Sequence, residues 1–278
     1  MIRLIHHRPT PIRSGLPPGH WSARHYFGRV PVLSLPFYAL GATGAALPFA
    51  PALPVSALMA SVPIIAALSL VWHQNGAAAA GSLLNSAFNL RTIPGAGWIV
   101  FAMCVLPVAF ALTGGLVWLS GTVLPNLIVL PASTIIPAFA LFFLGAAGEE
   151  LGWQGYAYPT LWQTHSVPGA ALILGVVWAV WHVIPLRMMG RGADWILWHS
   201  AAMVLMRIVI VWLVVNTGRS ILIAAVFHMM SNSVWGTFHD FSRWYDPMFM
   251  SAILAVAVAV ILSVRGLGPL LPKDRRMP

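Results

Sequence analysis

The sequence is poor in charged residues, and poorest in acidic ones. Only 8% of its 278 residues are Asp, Glu, Lys or Arg, whereas 59% are hydrophobic and the mean hydropathy is +0.83. A soluble domain carries about 25% charged residues. This chain has too few polar groups to cover a surface that faces water, so a water-soluble protein is excluded and the lipid bilayer is its expected solvent.

The cysteine count and the distribution of basic residues exclude two further classes of protein. The single cysteine, Cys104, lies in an apolar run, which excludes a disulfide framework. The net charge of +9 comes from basic residues scattered over termini and loops. They do not form the basic face of a nucleic-acid-binding protein, so no nucleic-acid partner is expected.

Long apolar runs take up most of the chain. A helix that crosses a bilayer needs about 20 apolar residues, so the sequence predicts an all-α, polytopic membrane bundle of about eight transmembrane helices. The predicted spans are 30–50, 53–72, 98–119, 124–147, 168–186, 195–215, 220–236 and 247–264. Segment 73–97 is open between a short interfacial helix and an irregular loop.

The predicted organisation is a basic N-terminal tail over 1–29, a membrane domain over 30–264 and a basic C-terminal tail over 265–278. Eight spans put both termini on one side, and placing them inside leaves most Lys and Arg residues in the cytoplasm. We therefore expect an integral membrane protein with both termini cytoplasmic. Arginine is strongly preferred to lysine, and Ala, Gly and Pro are abundant. These features indicate a GC-rich bacterial genome, and hence the bacterial inner (plasma) membrane.

Few polar or ionisable side chains fall within the apolar runs, where a charge costs at least about 2.5 kcal/mol by insertion scales and marks function by default. The only two glutamates, Glu149 and Glu150, stand together at the predicted cytoplasmic end of the fourth span. The others are His182, His199, Arg207 and His228, with Asn232 one turn after the last.

Three segments, LGAAGEELGWQGYAYP, WAVWHVIP and AVFHMMSNS, form an ordered set. They resemble the three motifs of the CPBP family, the CAAX-protease and bacteriocin-processing intramembrane endopeptidases. The resemblance covers about 145–235, within a CPBP-like core at about 124–236. The matching residues are Glu149 and Glu150, Trp178 with His182, and His228 with Asn232. One position departs from the pattern, because the family's arginine is Gln154 here.

Peptide hydrolysis needs an activated water and donors for the oxyanion that develops. The resemblance implies that Glu149 is the base, with His182 beside it. It also implies that His228 and Asn232 face the oxyanion. Adjacent residues on a helix point about 100° apart, so Glu150, the remaining member of this catalytic set, should face residue 154 at i+4.

The departure at Gln154 leaves Glu150 without the family's counter-charge. An arginine four residues after a glutamate has the spacing of a helical ion pair, and Gln154 brings no charge. Arg207 is the one cation that we place inside a predicted span, where an unpaired charge is costly. We hypothesise that Arg207 replaces the missing arginine beside Glu150.

The sequence leaves the cofactor open. Glu149, His182 and His228 make a plausible Zn²⁺ ligand set in composition, yet there is no His-Glu-x-x-His motif. The same residues can work without a metal, which is the mechanism we favour. The Gly-x-Ser-Gly and Gly-x-Gly-Asp signatures of other intramembrane proteases are missing as well.

The leading interpretation is an endopeptidase that cleaves a membrane-associated or lipid-tethered peptide or protein. The resemblance permits a prenylated C-terminal tail or a peptide precursor as substrate. One alternative is a proton-coupled transporter that uses the two glutamates and the histidines as a relay. Another is a catalytically inactive membrane scaffold, which Gln154 keeps open. No inverted repeat is evident, which counts against transport.

Overall fold

The computed structural model describes residues 23–47, 50–124, 131–237 and 244–265. These residues are largely helical, with one antiparallel hairpin of β1 (Ala46–Leu47) and β2 (Ala50–Pro54). The chain is thus an integral membrane protein with the predicted all-α fold. Most of the predicted basic tails, and the predicted span four between 125 and 130, lie outside the described residues.

The helices follow one another with short connections. They are α1 (Ala23–Gly41), α2 (Val62–Ser86), α3 (Ala96–Leu119), α4 (Ala132–Gly152), α5 (Tyr158–Trp162), α6 (Val167–Met188), α7 (Ala193–Asn216), α8 (Ile221–Thr237) and α9 (Pro247–Arg265). Val55–Ser61 forms a 3₁₀ helix that leads into α2, and Leu90–Thr92 forms another before α3. Trp153–Ala157 forms a π-helix between α4 and α5.

Among the described residues, six helical runs are long and apolar enough to cross a membrane. They are Val55–Ser86, Ala96–Leu119, Ser133–Trp162, Val167–Met188, Ala193–Asn216 and Pro247–Val264. The predicted seventh span corresponds to α8, which is apolar over the shorter stretch Ile221–Val234. Predicted spans two to eight therefore each contain an apolar helix, in the expected order.

The first predicted span, 30–50, has different bounds. Helix α1 begins earlier, at Ala23, and ends at Gly41. Gly44 then adopts a left-handed φ of 73° in a turn, and the hairpin follows. Strand β2 has the sequence APALP. The helix ends at the left-handed turn rather than at a proline, because α1 contains Pro31 and Pro36 in its interior.

Segment 73–97, left open by the sequence, is helical as far as Ser86 because α2 continues through it. The helix is interrupted at Gly76, whose φ of 79° and ψ of −178° are not helical. Only glycine adopts such a conformation at low cost, so this residue sets where α2 changes course.

Close helix contacts hold the centre of the bundle in register. A Cβ added to Gly152 of α4 would lie 2.5 Å from the carbonyl oxygen of Pro63 in α2. One added to Gly175 of α6 would lie 3.1 Å from Cα of Val204 in α7. Small residues allow such approach between membrane helices. As a result, α4 lies against α2, and α6 against α7.

Candidate active site

Glu149 and Glu150 lie inside a membrane-spanning helical run rather than at its end. The predicted boundary at residue 147 is wrong, because α4 continues to Gly152. The helical run then extends through the π-helix and α5 to Trp162. Both glutamates are buried, at 5% and 0% exposure. The sequence suggested a helix end because charge at this depth is costly. The structure offsets that cost with partners from three other helices.

Glu150 is fixed by a buried ion pair. Nη1 of Arg207, from α7, lies 2.9 Å from Oε1 and 2.7 Å from Oε2 of this carboxylate, and both side chains are 0% exposed. Nδ1 of His228, from α8, lies 2.8 Å from Oε1. A carboxylate paired in this way only accepts hydrogen bonds, so His228 donates from Nδ1. Glu150 therefore holds the ring of His228 in one orientation.

The guanidinium of Arg207 also makes cation–π contacts with two tryptophans. Its guanidinium carbon lies 4.3 Å from the ring centroid of Trp178 and 6.0 Å from that of Trp153. A desolvated cation over an indole face gains up to about 2 kcal/mol. Among the described residues, Nε and Nη2 of Arg207 have no hydrogen-bond partner. The carboxylate of Glu150 and the two indole rings together stabilise the buried charge of Arg207.

Glu149 is held through one oxygen only. Its Oε2 accepts a hydrogen bond from Nε1 of Trp178 at 2.9 Å and a longer one from Nε1 of Trp153 at 3.4 Å. Both of these hydrogen bonds go to the same oxygen, so indole donors anchor the carboxylate through Oε2.

His182 is held by the backbone of the same tryptophan. Its Nδ1 lies 2.8 Å from the carbonyl oxygen of Trp178. Since a carbonyl only accepts, the hydrogen is on Nδ1 and Nε2 is left as the second functional nitrogen. Trp178 therefore fixes both Glu149, through its side chain, and His182, through its carbonyl. The sequence showed Trp178 only as the aromatic of the second motif, because spacing cannot reveal where an indole N–H points.

His228 and Asn232 lie one turn apart on α8, as expected from their spacing. His228 is buried at 3% exposure, and the Asn232 side chain is half-buried. The ring of His228 packs edge-on against Trp178, with centroids 5.2 Å apart. The structure thus gathers Glu149, Glu150 and Trp178 with His228 around one point of the bundle.

Gln154 does not support Glu150 in the expected way. It is buried at 3% exposure, yet neither atom of its amide has a hydrogen-bond partner among the described residues. The i+4 relation with Glu150 assumed a regular α-helix. The π-helix that begins at Trp153 changes this register, and such insertions are frequent at functional sites.

Binding of Zn²⁺ by Glu149, His182 and His228, which the sequence left open, stays a prediction. Within the described ranges, no three His, Cys, Asp or Glu side chains are grouped closely enough to hold a metal ion. Nδ1 of His228 donates to Glu150 and Nδ1 of His182 donates to a carbonyl, so Nε2 is the nitrogen of each ring that a metal would use. The reaction proposed below is written with side chains of this chain alone.

His199, the remaining buried histidine of the apolar runs, belongs to a different cluster. Its Nδ1 lies 2.7 Å from the hydroxyl of Tyr245, and its ring stacks on Trp195 with centroids 4.7 Å apart. Burial raises the pKa of Tyr245, so this hydroxyl stays protonated. These contacts join α7 to the start of α9.

The chain is similar to known proteins over the segment that carries these residues. Residues 131–234 match the family described as type II CAAX prenyl endopeptidase Rce1-like. A stretch of 51 residues is 37% identical to the CAAX prenyl protease 2 of Methanococcus maripaludis and covers 18% of this chain and 19% of that relative. The chain thus matches about a fifth of the relative's length. The family match includes all three motifs, which confirms the resemblance to the CPBP family and supports an intramembrane protease of the CAAX type in general.

Proposed function

We propose that this chain is an intramembrane endopeptidase that hydrolyses a peptide bond of a membrane-associated or lipid-tethered protein or peptide. The observation that carries the proposal is the unequal use of the two buried carboxylates. Glu150 is fully engaged by Arg207 and His228. Glu149 is anchored through Oε2 alone, which leaves it an oxygen for a water molecule.

In the proposed reaction, Oε1 of Glu149 accepts a proton from water while the water oxygen bonds to the scissile carbonyl carbon. Nε2 of His182 positions that water or shares its proton. The C–N bond then breaks, and the proton held by Glu149 passes to the leaving amine.

We assign His228 and Asn232 to the oxyanion. Nδ1 of His228 donates to Glu150, which orients the ring and makes Nε2 the nitrogen that we assign to the oxyanion, as a donor in the doubly protonated ring. The side-chain amide of Asn232 supplies a further N–H from the next turn of the helix.

We predict that Asn232→Ala lowers kcat by about 10²–10³-fold with little change in KM, which is typical of a lost oxyanion donor. His228→Ala should lower kcat at least as much, because it also deprives Glu150 of a donor. Steady-state kinetics on a cleavable reporter peptide check both. A raised KM with unchanged kcat would assign these residues to substrate binding instead.

We also propose that Trp178 is a positioning residue. Trp178→Phe keeps an aromatic ring under Arg207 but removes the N–H that holds Glu149. Hydrogen bonds to charged groups contribute about 1.5–3 kcal/mol, so kcat should fall about 10- to 100-fold with KM nearly unchanged. The matched control is Trp181→Phe on the same helix, whose N–H donates to Oγ of Ser34 at 2.8 Å. Equal losses in kcat from the two variants would mean that Trp178 acts only through packing.

The alternatives are less well supported. A proton relay needs carboxylates that can exchange protons, whereas both oxygens of Glu150 are occupied in an ion pair with 0% exposure. A catalytically inactive scaffold was suggested by Gln154, but Arg207 now supplies a cation beside Glu150. Cleavage of reporter peptides by the purified protein, with Glu149→Gln as the comparison, separates the three functions.

We propose a lipid-tethered protein as the substrate. The name of the matched relative, a CAAX prenyl protease, favours a lipid-tethered C-terminal tail, and reporters with and without a lipid group would test this. We further propose that the end of the bundle with Arg91 and Arg219 faces the cytoplasm, in keeping with the positive-inside rule. Reporter fusions to the two termini would reveal the opposite orientation.

A further inference from the structure

A groove with a volume of about 330 Å³ lies between α1 and α2. Its polar lining residues are Arg29, Ser69 and His73, and its apolar ones include Val32, Leu33 and Ile65. Val32 is 63% exposed and Ile65 is 47% exposed, so the groove opens on the outside of the bundle. None of these residues has a part in the proposed hydrolysis.

Polar and apolar residues occupy opposite ends of this groove. Nη1 of Arg29 donates to Oγ of Ser69 at 2.9 Å, which fixes the register of the two helices. Because α1 and α2 run in opposite directions, moving one turn along each leads from this bond to Leu33 and Ile65. The groove is therefore basic at one end and apolar at the other.

The basic end lies at the level expected for the membrane–water interface. His73 is exposed and follows Trp72, an indole with 62% exposure, and tryptophans concentrate at this level of a bilayer. Three residues later α2 is interrupted at Gly76. Arg29 lies close to the first residue of α1, Ala23. The apolar end then lies one turn deeper, among lipid acyl chains.

We propose that this groove binds one phospholipid with an anionic headgroup. Arg29 and His73 face the phosphate, and an acyl chain lies along Val32, Leu33 and Ile65. A guanidinium pairs well with a phosphate, and basic residues at the membrane surface favour anionic over zwitterionic lipids. Lipid binding in this groove does not depend on the proposed hydrolysis, so the two proposals can be tested separately.

Native mass spectrometry of the purified full chain in detergent, with added phosphatidylglycerol or phosphatidylcholine, tests the proposal. We expect a bound phosphatidylglycerol that is retained in preference to phosphatidylcholine. Arg29→Gln and His73→Gln should each weaken that preference about fivefold. The control is Arg91→Gln, an exposed arginine at the same end of the bundle, which should leave it unchanged.

Gly28 provides a variant that leaves the charges in place. It lines the groove, and a Cβ built on it meets nothing within 4 Å. Gly28→Leu should therefore fold normally, as checked by thermal unfolding, and close the headgroup end of the groove beside Arg29. Lipid binding that survives Gly28→Leu but not Arg29→Gln would show attraction to surface charge alone and overturn the groove.

Two competition experiments identify the source of the ligand. Inorganic phosphate at millimolar concentration should not displace the bound lipid, because it lacks the acyl chain. Displacement by free phosphate would overturn a lipid site, and displacement by a lipidated reporter peptide would reassign the groove to the tail of a substrate.

Discussion

Glu149→Gln should lower kcat by about 10²–10⁴-fold, the usual contribution of a general base, and leave the fold intact. Glutamine has nearly the shape of glutamate, and its carbonyl oxygen can still accept the hydrogen bond from Trp178. It cannot take up the proton that water must lose. The measurement is the single-turnover cleavage rate of a reporter peptide, with thermal unfolding as the check on folding.

The control for this substitution is Asp194→Asn, a matched exchange of carboxylate for amide at an exposed position in the first turn of α7. It should cleave at the wild-type rate. A folded Glu149→Gln protein with full turnover would remove Glu149 as the base, and with it the proposed mechanism.

Motif order and apolar periodicity were enough to predict the helical bundle and most of its spans. Apart from the bounds of the first span, they failed at two places, both next to the site. The first is the boundary of α4, where a hydropathy argument stops at Glu149 although the helix continues. Burial of that carboxylate depends on indole donors from Trp178 and Trp153, and their direction is a property of the packed bundle.

The second place is the π-helix after Gly152. Pairing Glu150 with residue 154 assumed 3.6 residues per turn, and five residues of π-helix change that spacing. The ion pair between Glu150 and Arg207 was accessible to sequence reasoning for a different reason. It follows from the cost of leaving charges unpaired at membrane depth, which holds whatever the local helix geometry.

Arg207→Ala should give the other large effect, on stability as well as on activity. Removing one partner of a buried ion pair leaves an uncompensated charge and costs about 3–5 kcal/mol. Glu150 would lose the contact that fixes it, and His228 would lose its orientation. The thermal unfolding temperature and kcat should both fall. The control is Arg191→Ala, whose guanidinium likewise lies over an indole, 4.8 Å from the ring centroid of Trp195, and which should change neither greatly.

A double-mutant cycle separates the charge of Glu150 from the packing of Arg207. If the unpaired carboxylate causes the destabilisation, Glu150→Gln in the Arg207→Ala background should recover thermal stability, since glutamine carries no charge. Activity should remain low, because His228 would still lack its carboxylate. If the double mutant is as unstable as Arg207→Ala, the cavity left by Arg207 causes the loss of stability.

Substitutions at Gln154 also test whether Glu150 needs a positive counter-charge. The amide of Gln154 is buried without a partner among the described residues, and the CPBP pattern has an arginine at this position. In the Arg207→Ala background, Gln154→Arg should restore part of kcat by returning a counter-charge to Glu150. In the wild type it should instead reduce stability, because two buried cations would share one carboxylate. A double mutant no better than Arg207→Ala alone would end the idea that the two arginine positions are interchangeable. An inactive wild type that gains activity from Gln154→Arg alone would identify this chain as the catalytically inactive scaffold.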